Sequence, residues 1–206
     1  MNQTILTYYF LLFSLWATAQ DPKLKTRPLQ FEHLSMKDGL SMNPVMSIVQ
    51  DKKGFLWFGT QDGLNRYDGY KFKVFKTRDD DSNSISDNFI TTLFADQPGN
   101  LWVGTFGGGL NRYDIKTGKF KRFYINTASG HGLKSDLIWS FESFQSKLWI
   151  GTDKGIVVID PVSEEFVNIL EQYPSLEKLS GSTVLCIFRD TSGKLWFGTT
   201  YNLLLF

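Results

Sequence analysis

The chain has 206 residues, of which 42% are apolar, 21% charged and 16% aromatic. That is enough apolar surface for a packed core and too little charge for a disordered polymer. Lys and Arg number 22 against 21 Asp and Glu, and a net charge of +1 lacks the basic excess that nucleic acid or an anionic membrane surface would call for. The single cysteine, Cys186, excludes an intrachain disulfide framework and a cysteine-based metal cluster.

Residues 5–19, "ILTYYFLLFSLWATA", are apolar and uncharged, and they end on Ala17-Thr18-Ala19. This is the apolar region and small-x-small cleavage site of a secretory leader, read as residues 1–19, although no Lys or Arg precedes it. A spanning helix is the rival, but a bilayer core needs about 20 residues. Residues 20–28 read as a linker, and the rest as a protein that works outside the cytoplasm.

From residue 29 onward the chain repeats itself. "GFLWFGT", "GNLWVGT", "SKLWIGT" and "GKLWFGT" place Trp57, Trp102, Trp149 and Trp196 at spacings of 45, 47 and 47 residues. Each unit runs in one order. An apolar segment such as "PVMSIVQD" leads through a turn ("KKG", "QPG", "FQS" or "TSG") into L-W-x-G-T. A polar or glycine-rich link follows, then "GLNRYD", "GLNRYD" or "GIVVID", another turn, and "KFKVFK", "KFKRFY" or "EFVNIL". Four short β-rich runs bounded by turn residues, with no helical period, predict a four-stranded antiparallel meander. At this period the meander is a propeller blade, so the fold class is all-β, with blades at about 44–76, 88–124, 136–170 and 182–206. The Trp of each unit is expected to fill the gap between stacked blades. Gly59, Gly104, Gly151 and Gly198 are expected to stay bare where the next blade presses in. Cys186, in "TVLCIF", reads as a small buried hydrophobe.

Unit four reaches only its third strand, and "LQFEHLSMKDGLS" precedes unit one. Residues 30–34 are therefore expected to form an outer closing strand. Two rings fit: four blades closed on themselves with that strand, or a larger ring of which this chain is a fragment. Wide aromatic sheets favour six to eight blades, so the larger ring is the preferred expectation, and a truncated gene remnant with a scaffold role goes with it.

The quoted units resemble the two-component regulator propeller repeat, whose pattern runs "GLS-N-V-I-D--G-LW-GT--GL-RYD---F--F". Residues 39–75 and 84–123 follow it closely; the third unit departs, with "GIVVID" for "GLNRYD", and the fourth is partial. The resemblance implies the periplasmic sensor half of a hybrid two-component system in Bacteroidetes-like bacteria. It implies an oligosaccharide ligand and, as partners, the remaining blades and signalling domains of a parent protein, with a homodimer in the full-length context. No kinase, receiver or DNA-binding module is written in these residues.

The remaining motifs read as scaffold. A phosphate-binding loop needs a helix after its glycines, and a strand follows "FGGGL" at 106–110. An EF-hand starting at Asp79 would need Gly and a carboxylate where Ser84 and Ile90 stand, so 78–88 reads as a solvated linker, with a weak calcium site as the alternative. His33 and His131 lack the setting of a phospho-accepting histidine. Arg66 and Arg112 of "NRYD" are expected to pair with Asp on an adjacent strand or face the rim. No catalytic, cofactor or metal site is assigned. Ligand-binding candidates are the aromatic residues that break the repeat, Tyr70, Phe106 and Tyr201, converging at one mouth of the ring. A propeller lyase or hydrolase is the enzymatic rival, and it would need His, Tyr, Arg and carboxylates that converge outside the repeat.

Overall fold

The structure, a computed structural model, describes residues 30–125 and 132–206; the leader, the linker and His131 lie outside them. Four antiparallel sheets follow one another along the chain. The first holds β1 (Val45–Gln50), β2 (Leu56–Thr60), β3 (Gly63–Tyr67) and β4 (Phe72–Phe75). The second holds β5 (Ile90–Ala95), β6 (Leu101–Thr105), β7 (Leu110–Asp114) and β8 (Lys119–Phe123). The third holds β9 (Ile138–Phe144), β10 (Lys147–Thr152), β11 (Gly155–Ile159) and β12 (Phe166–Val167). The fourth has three strands, β13 (Val184–Arg189), β14 (Leu195–Thr199) and β15 (Leu203–Leu205). Their first strands pack side by side, β1 on β5, β5 on β9 and β9 on β13, and no comparable packing joins β13 back to β1. The blades form an open arc.

Two local devices recur along the blades, the first in blades one, two and four and the second in all four. The first is an aspartate that organises the turn from first to second strand and then locks the tryptophan. Asp51 Oδ1 accepts the N–H groups of Lys53 and Phe55, while its Oδ2 accepts Trp57 Nε1 at 2.8 Å. Asp96 does the same for Gly99, Asn100 and Trp102 (2.9 Å), and Asp190 for Ser192, Lys194 and Trp196 (2.9 Å). A carboxylate that ties a turn to a ring it precedes by six residues fixes the strand register without help from elsewhere. The second device is the threonine of L-W-x-G-T. Its hydroxyl donates across the next turn: Thr60 to the Gly63 carbonyl, Thr105 to Gly109, Thr152 to Gly155 and Thr199 to Asn202.

Blade three breaks the first device. Its hairpin is the two-residue turn Gln145–Ser146, both at positive φ (50° and 58°), in place of the three-residue "FQS" turn read from the sequence. Two left-handed residues match the twist of the flanking strands. Phe144 now stands where the other blades carry the aspartate, and its ring meets Trp149 edge-on at 5.8 Å. The Trp149 indole N–H is buried with no acceptor among the described residues.

The core lies between blades. Trp57, Trp102 and Trp149 are 0%, 0% and 1% exposed, and each belongs to a cluster shared with the following blade. A Cβ on Gly59 would stand 2.7 Å from Ile90, one on Gly104 2.6 Å from Ile138, and one on Gly151 2.6 Å from the Val184 carbonyl. Gly198 meets only Cys186, within its own blade.

Three expectations are corrected. Residues 30–34 form no strand and are exposed, and blade four has three strands. An extended segment holds strand geometry only against a partner edge, and none pairs with it. Cys186 is exposed, because it lies on the face of blade four that no further blade covers. "EFVNIL" supplies only the two-residue β12 before a helical turn, Ile169–Gln172, and a 3-10 turn, Pro174–Leu179. Ile169, Leu176 and Leu179 bury against the Trp149 cluster instead. Among the described residues no helix is long and apolar enough to cross a membrane.

Candidate functional site

Strand direction alternates within each blade, so the turns joining first to second and third to fourth strands emerge at one end of the arc. The turns joining second to third strands, and the links between blades, emerge at the other. This parity separates the three aromatic candidates. Tyr70, 94% exposed, sits in the β3–β4 turn at the first end. Phe106, after β6, and Tyr201, after β14, share the opposite end, where they are 43% and 89% exposed. The three do not converge at one mouth.

The first end is scaffold. The aspartate that closes the third strand caps the turn to the fourth: Asp68 accepts the N–H groups of Tyr70 and Lys71, Asp114 those of Lys116 and Thr117, and Asp160 those of Val162 and Ser163. These bonds favour the ionised form. The Lys71 amide chiefly lowers Asp68, and the Lys116 amide chiefly lowers Asp114. The Lys147 ammonium, followed by the Val162 and Ser163 amides, holds Asp160 down to about 2. A depressed carboxyl adds stability above its ordinary titration near pH 3.9, and that stability is lost as pH falls towards about 2. Asp160→Asn is therefore expected to flatten the acid limb of a stability-versus-pH curve below about pH 4. Urea melts at stepped pH check it, and an acid limb identical to that of the parent chain would refute the assignment.

The charged residues of "NRYD" take partners other than Asp. Arg66 lies over the Phe55 ring at 4.5 Å. Arg112 pairs with Glu164, which also takes Lys121, so one carboxylate of blade three holds two cations of blade two. The asparagines lock the blade links: Asn65 accepts from Ser41 N–H and donates to Ser41 Oγ, and Asn111 repeats the pattern with Ser86.

The opposite end carries the cleft. It is an open cleft of about 390 Å³ on blade two and the link entering blade three, lined by Ser86, the glycines 107–109, Arg122, Tyr124, Ile125 and Asp136. The glycine loop is shaped by its contacts: Gly107 and Gly109, both at positive φ, donate to the Asp136 carbonyl at 3.0 Å, and Gly108 donates to Thr105 Oγ1. A Cβ on Gly108 would stand 2.5 Å from Ser86 Oγ, so only glycine lets this loop lie against the blade link. Arg122 is pinned by donation to the Ser84 and Asp81 carbonyls and to Ser84 Oγ, and its Nη1 reaches the Tyr124 hydroxyl at 3.4 Å. Tyr124 is 62% exposed, and the Asp136 side chain is open to solvent. Phe106, next to Gly107, stacks on Phe89 at 5.1 Å and meets Trp139 edge-on at 5.8 Å. The cleft thus offers a fixed guanidinium, a carboxylate, an exposed phenol and backbone polar groups, with an aromatic pair adjoining its glycine loop. Tyr124, Arg122 and Asp136 were not candidates in the sequence. Strand parity brings the end of "KFKRFY" and the "KSD" link to the same side as "FGGG", and that was the available signal.

Among the described residues no group of three or more His, Cys, Asp or Glu stands together as metal ligands would.

Comparison with known proteins agrees with the geometry. The model of a family described as two component regulator propeller matches residues 39–62, 84–107 and 178–201. It leaves out the third unit, where Phe144 replaces the aspartate and Val157 the asparagine. A histidine kinase, P4, of Formosa agariphila is 40% identical over 83 residues, which are 40% of this chain and 6% of the kinase. The extracellular domain of a hybrid two-component system from B. thetaiotaomicron superposes with a TM-score of 0.69 at 28% identity, over 85% of this chain and 30% of that one. Virginiamycin B lyase from Staphylococcus aureus superposes with a TM-score of 0.52 at 13% identity, over 79% of this chain and 55% of the lyase, a likeness of fold alone. The chain spans under a third of the first two relatives. The aspartate-locked tryptophans Trp57, Trp102 and Trp196 each lie in one of the three stretches that match the two-component regulator propeller repeat.

Proposed function

We propose that this chain is the ligand-sensing input of a two-component signalling system, exported by the leader in residues 1–19 to the periplasm, and that its ligand is an oligosaccharide. The observation that carries the reading is the likeness to the extracellular domain of a hybrid two-component system over 85% of the chain. The cleft supports the ligand class. A sugar ring presents a C–H face that stacks on an exposed aromatic, here Tyr124, and a rim of hydroxyls that bond to a carboxylate and to fixed donors, here Asp136 and Arg122. A rigid scaffold that carries such a site on its links suits recognition. Among the described lining residues the Ser86 hydroxyl accepts from Asn111 and the Tyr124 hydroxyl from Arg122, neither of them a general base, and the reading is binding without turnover. Occupancy would be relayed to signalling domains of the parent protein through a change in how domains are arranged.

Isothermal calorimetry of the protein against a panel of oligosaccharides tests this. One class is expected to bind, and Tyr124→Ala to weaken it about 10- to 100-fold, the loss of roughly 1.4 to 2.7 kcal/mol of contact. Turnover of a panel member, or binding left intact by both Tyr124→Ala and Asp136→Asn, would overturn it.

A further inference from the structure

The cleft is a departure from the repeat, and blade one shows what it departs from. Thr60 Oγ1 accepts the N–H of Asp62 and donates to the Gly63 carbonyl, and Thr105 Oγ1 treats Gly108 and Gly109 in the same way. Gly108 therefore stands in the place of Asp62. Val74 faces Asn65 in the strand register and Arg122 faces Asn111, so Arg122 stands in the place of Val74, and Tyr124, two residues on, in that of Lys76. In blade one Lys76 reaches Asp62 at 2.8 Å, and the ion pair spans the rim. Blade three fills the equivalent place with the helical turn Ile169–Gln172, which leaves about 30 Å³. Blade two has neither closure, and about 390 Å³ stand open.

The same substitutions leave a charge without a partner. Arg122 donates only to uncharged acceptors: Nε to the Ser84 carbonyl, Nη2 to the Asp81 and Ile85 carbonyls and to Ser84 Oγ, and Nη1 to the Tyr124 hydroxyl. Among the described residues no carboxylate pairs with it, whereas Arg112 on the neighbouring strand has Glu164. The carboxylate that answers the cation in blade one is Asp62, and Gly108 supplies none; a Cβ there would stand 2.5 Å from Ser86 Oγ. Donors dominate what faces the opening. The Tyr124 hydroxyl accepts from Arg122 and the Ser86 hydroxyl from Asn111, so each keeps a proton to donate, and Arg122 Nη1 has a second N–H. Asp136 is the one carboxylate among the lining residues. It is exposed, so its charge is screened by solvent, while Arg122 is half-buried against backbone carbonyls.

We propose that the oligosaccharide is acidic, and that its carboxylate or sulfate occupies the place Asp62 holds in blade one, taking hydrogen bonds from Arg122 Nη1 and the Tyr124 hydroxyl. Asp136 is left to accept the hydroxyls of the sugar. A guanidinium already fixed by its other nitrogens meets an anion without reorganising, and charge-assisted hydrogen bonds are the strong ones. The inference rests on the sugar-binding reading of the cleft.

Calorimetry of the full chain against matched pairs tests it: oligogalacturonates and oligoglucuronates beside their methyl esters, and sulfated galactans beside the desulfated chains. An acidic member is expected to bind at least about 10-fold tighter than its neutral partner, and its affinity to fall as sodium chloride is raised. The pair that shows the difference tells carboxylate from sulfate. Tyr124→Phe, at an exposed position, keeps the ring and removes the hydroxyl. It is expected to weaken the acidic member about 10-fold and to leave the neutral partner unchanged. Arg122→Gln, with circular dichroism matching that of the parent chain, should abolish the preference for the acidic member. Neutral members that bind as tightly as the acidic ones, or an acidic preference that both Tyr124→Phe and added salt leave intact, would overturn the proposal while the sugar-binding reading stands. No binding by any member, acidic or neutral, would overturn both.

Discussion

Gly151→Ala lowers the stability of the folded chain by about 2–3 kcal/mol, and Gly198→Ala changes it by less than about 1 kcal/mol. The two glycines occupy the same place in L-W-x-G-T, and neither has a backbone conformation that excludes alanine, so propensity does not separate them. What separates them is the neighbour. A methyl group on Gly151 would meet the Ser140 hydroxyl and stand 2.6 Å from the Val184 carbonyl, a backbone atom of the next blade that moves only if the blades part. The same methyl on Gly198 would meet the end of the Cys186 side chain, which can rotate towards solvent. At Gly198 the loss of freedom in the unfolded chain also works in favour of alanine, by roughly 0.4–1 kcal/mol. Urea midpoints at constant slope measure both. Equal losses at the two sites would show that blade contact is not what keeps Gly151 bare.

The second large effect concerns the tryptophans. Trp102→Ala is expected to cost about 3–5 kcal/mol, the range for emptying a buried aromatic site, and Trp196→Ala less than half of that. Trp102 is fully buried between two blades, and its N–H satisfies the buried Asp96 at 2.9 Å. Trp196 makes the same bond to Asp190, but its ring is half-open on the last blade. A gentler change separates the bond from the packing. Trp102→Phe removes a donor from a buried carboxylate, whereas Trp149→Phe removes an N–H that already lacks an acceptor among the described residues. Phenylalanine should therefore be tolerated better at 149 than at 102, by about 1 kcal/mol. Thermal or urea melts of the four variants decide it, and equal costs for Trp102→Ala and Trp196→Ala would mean that the blade-four face is covered in solution.

The blades were legible because a period of about 45 residues is a statement about stacking. A side chain that recurs once per unit, with a small residue two positions later, describes a contact between units. The sequence does not say where stacking ends. Alternation in "TVLCIF" assigns Cys186 a face, but burial of that face depends on a neighbour, and no local pattern reports a missing one. The same gap misplaced residues 30–34, whose apolar alternation suits a strand only where a partner edge exists. Blade three misled in another way. Losing one residue from a turn moved Phe144 into the aspartate position, and a two-residue hairpin of Gln and Ser carries none of the glycine that signals such a turn. Arg112 and Glu164 lie on different blades, and their pairing has no signature in either neighbourhood. The aromatic candidates were chosen because they break the repeat. That criterion is blind to which end of a blade a turn occupies, and this is why Tyr70 parted from Phe106 and Tyr201. Counting strand reversals from the tryptophan in each unit would have sorted them.

One further property follows from the way each sheet leans only on its immediate neighbours. Blades two and three are each packed on both sides, β5 against β1 and β9, and β9 against β5 and β13. The cleft lies on blade two, between Ser86 on the link entering that blade and Asp136 on the link entering blade three. Loosening of blade one or of blade four would leave blades two and three in contact, and the recognition geometry with them.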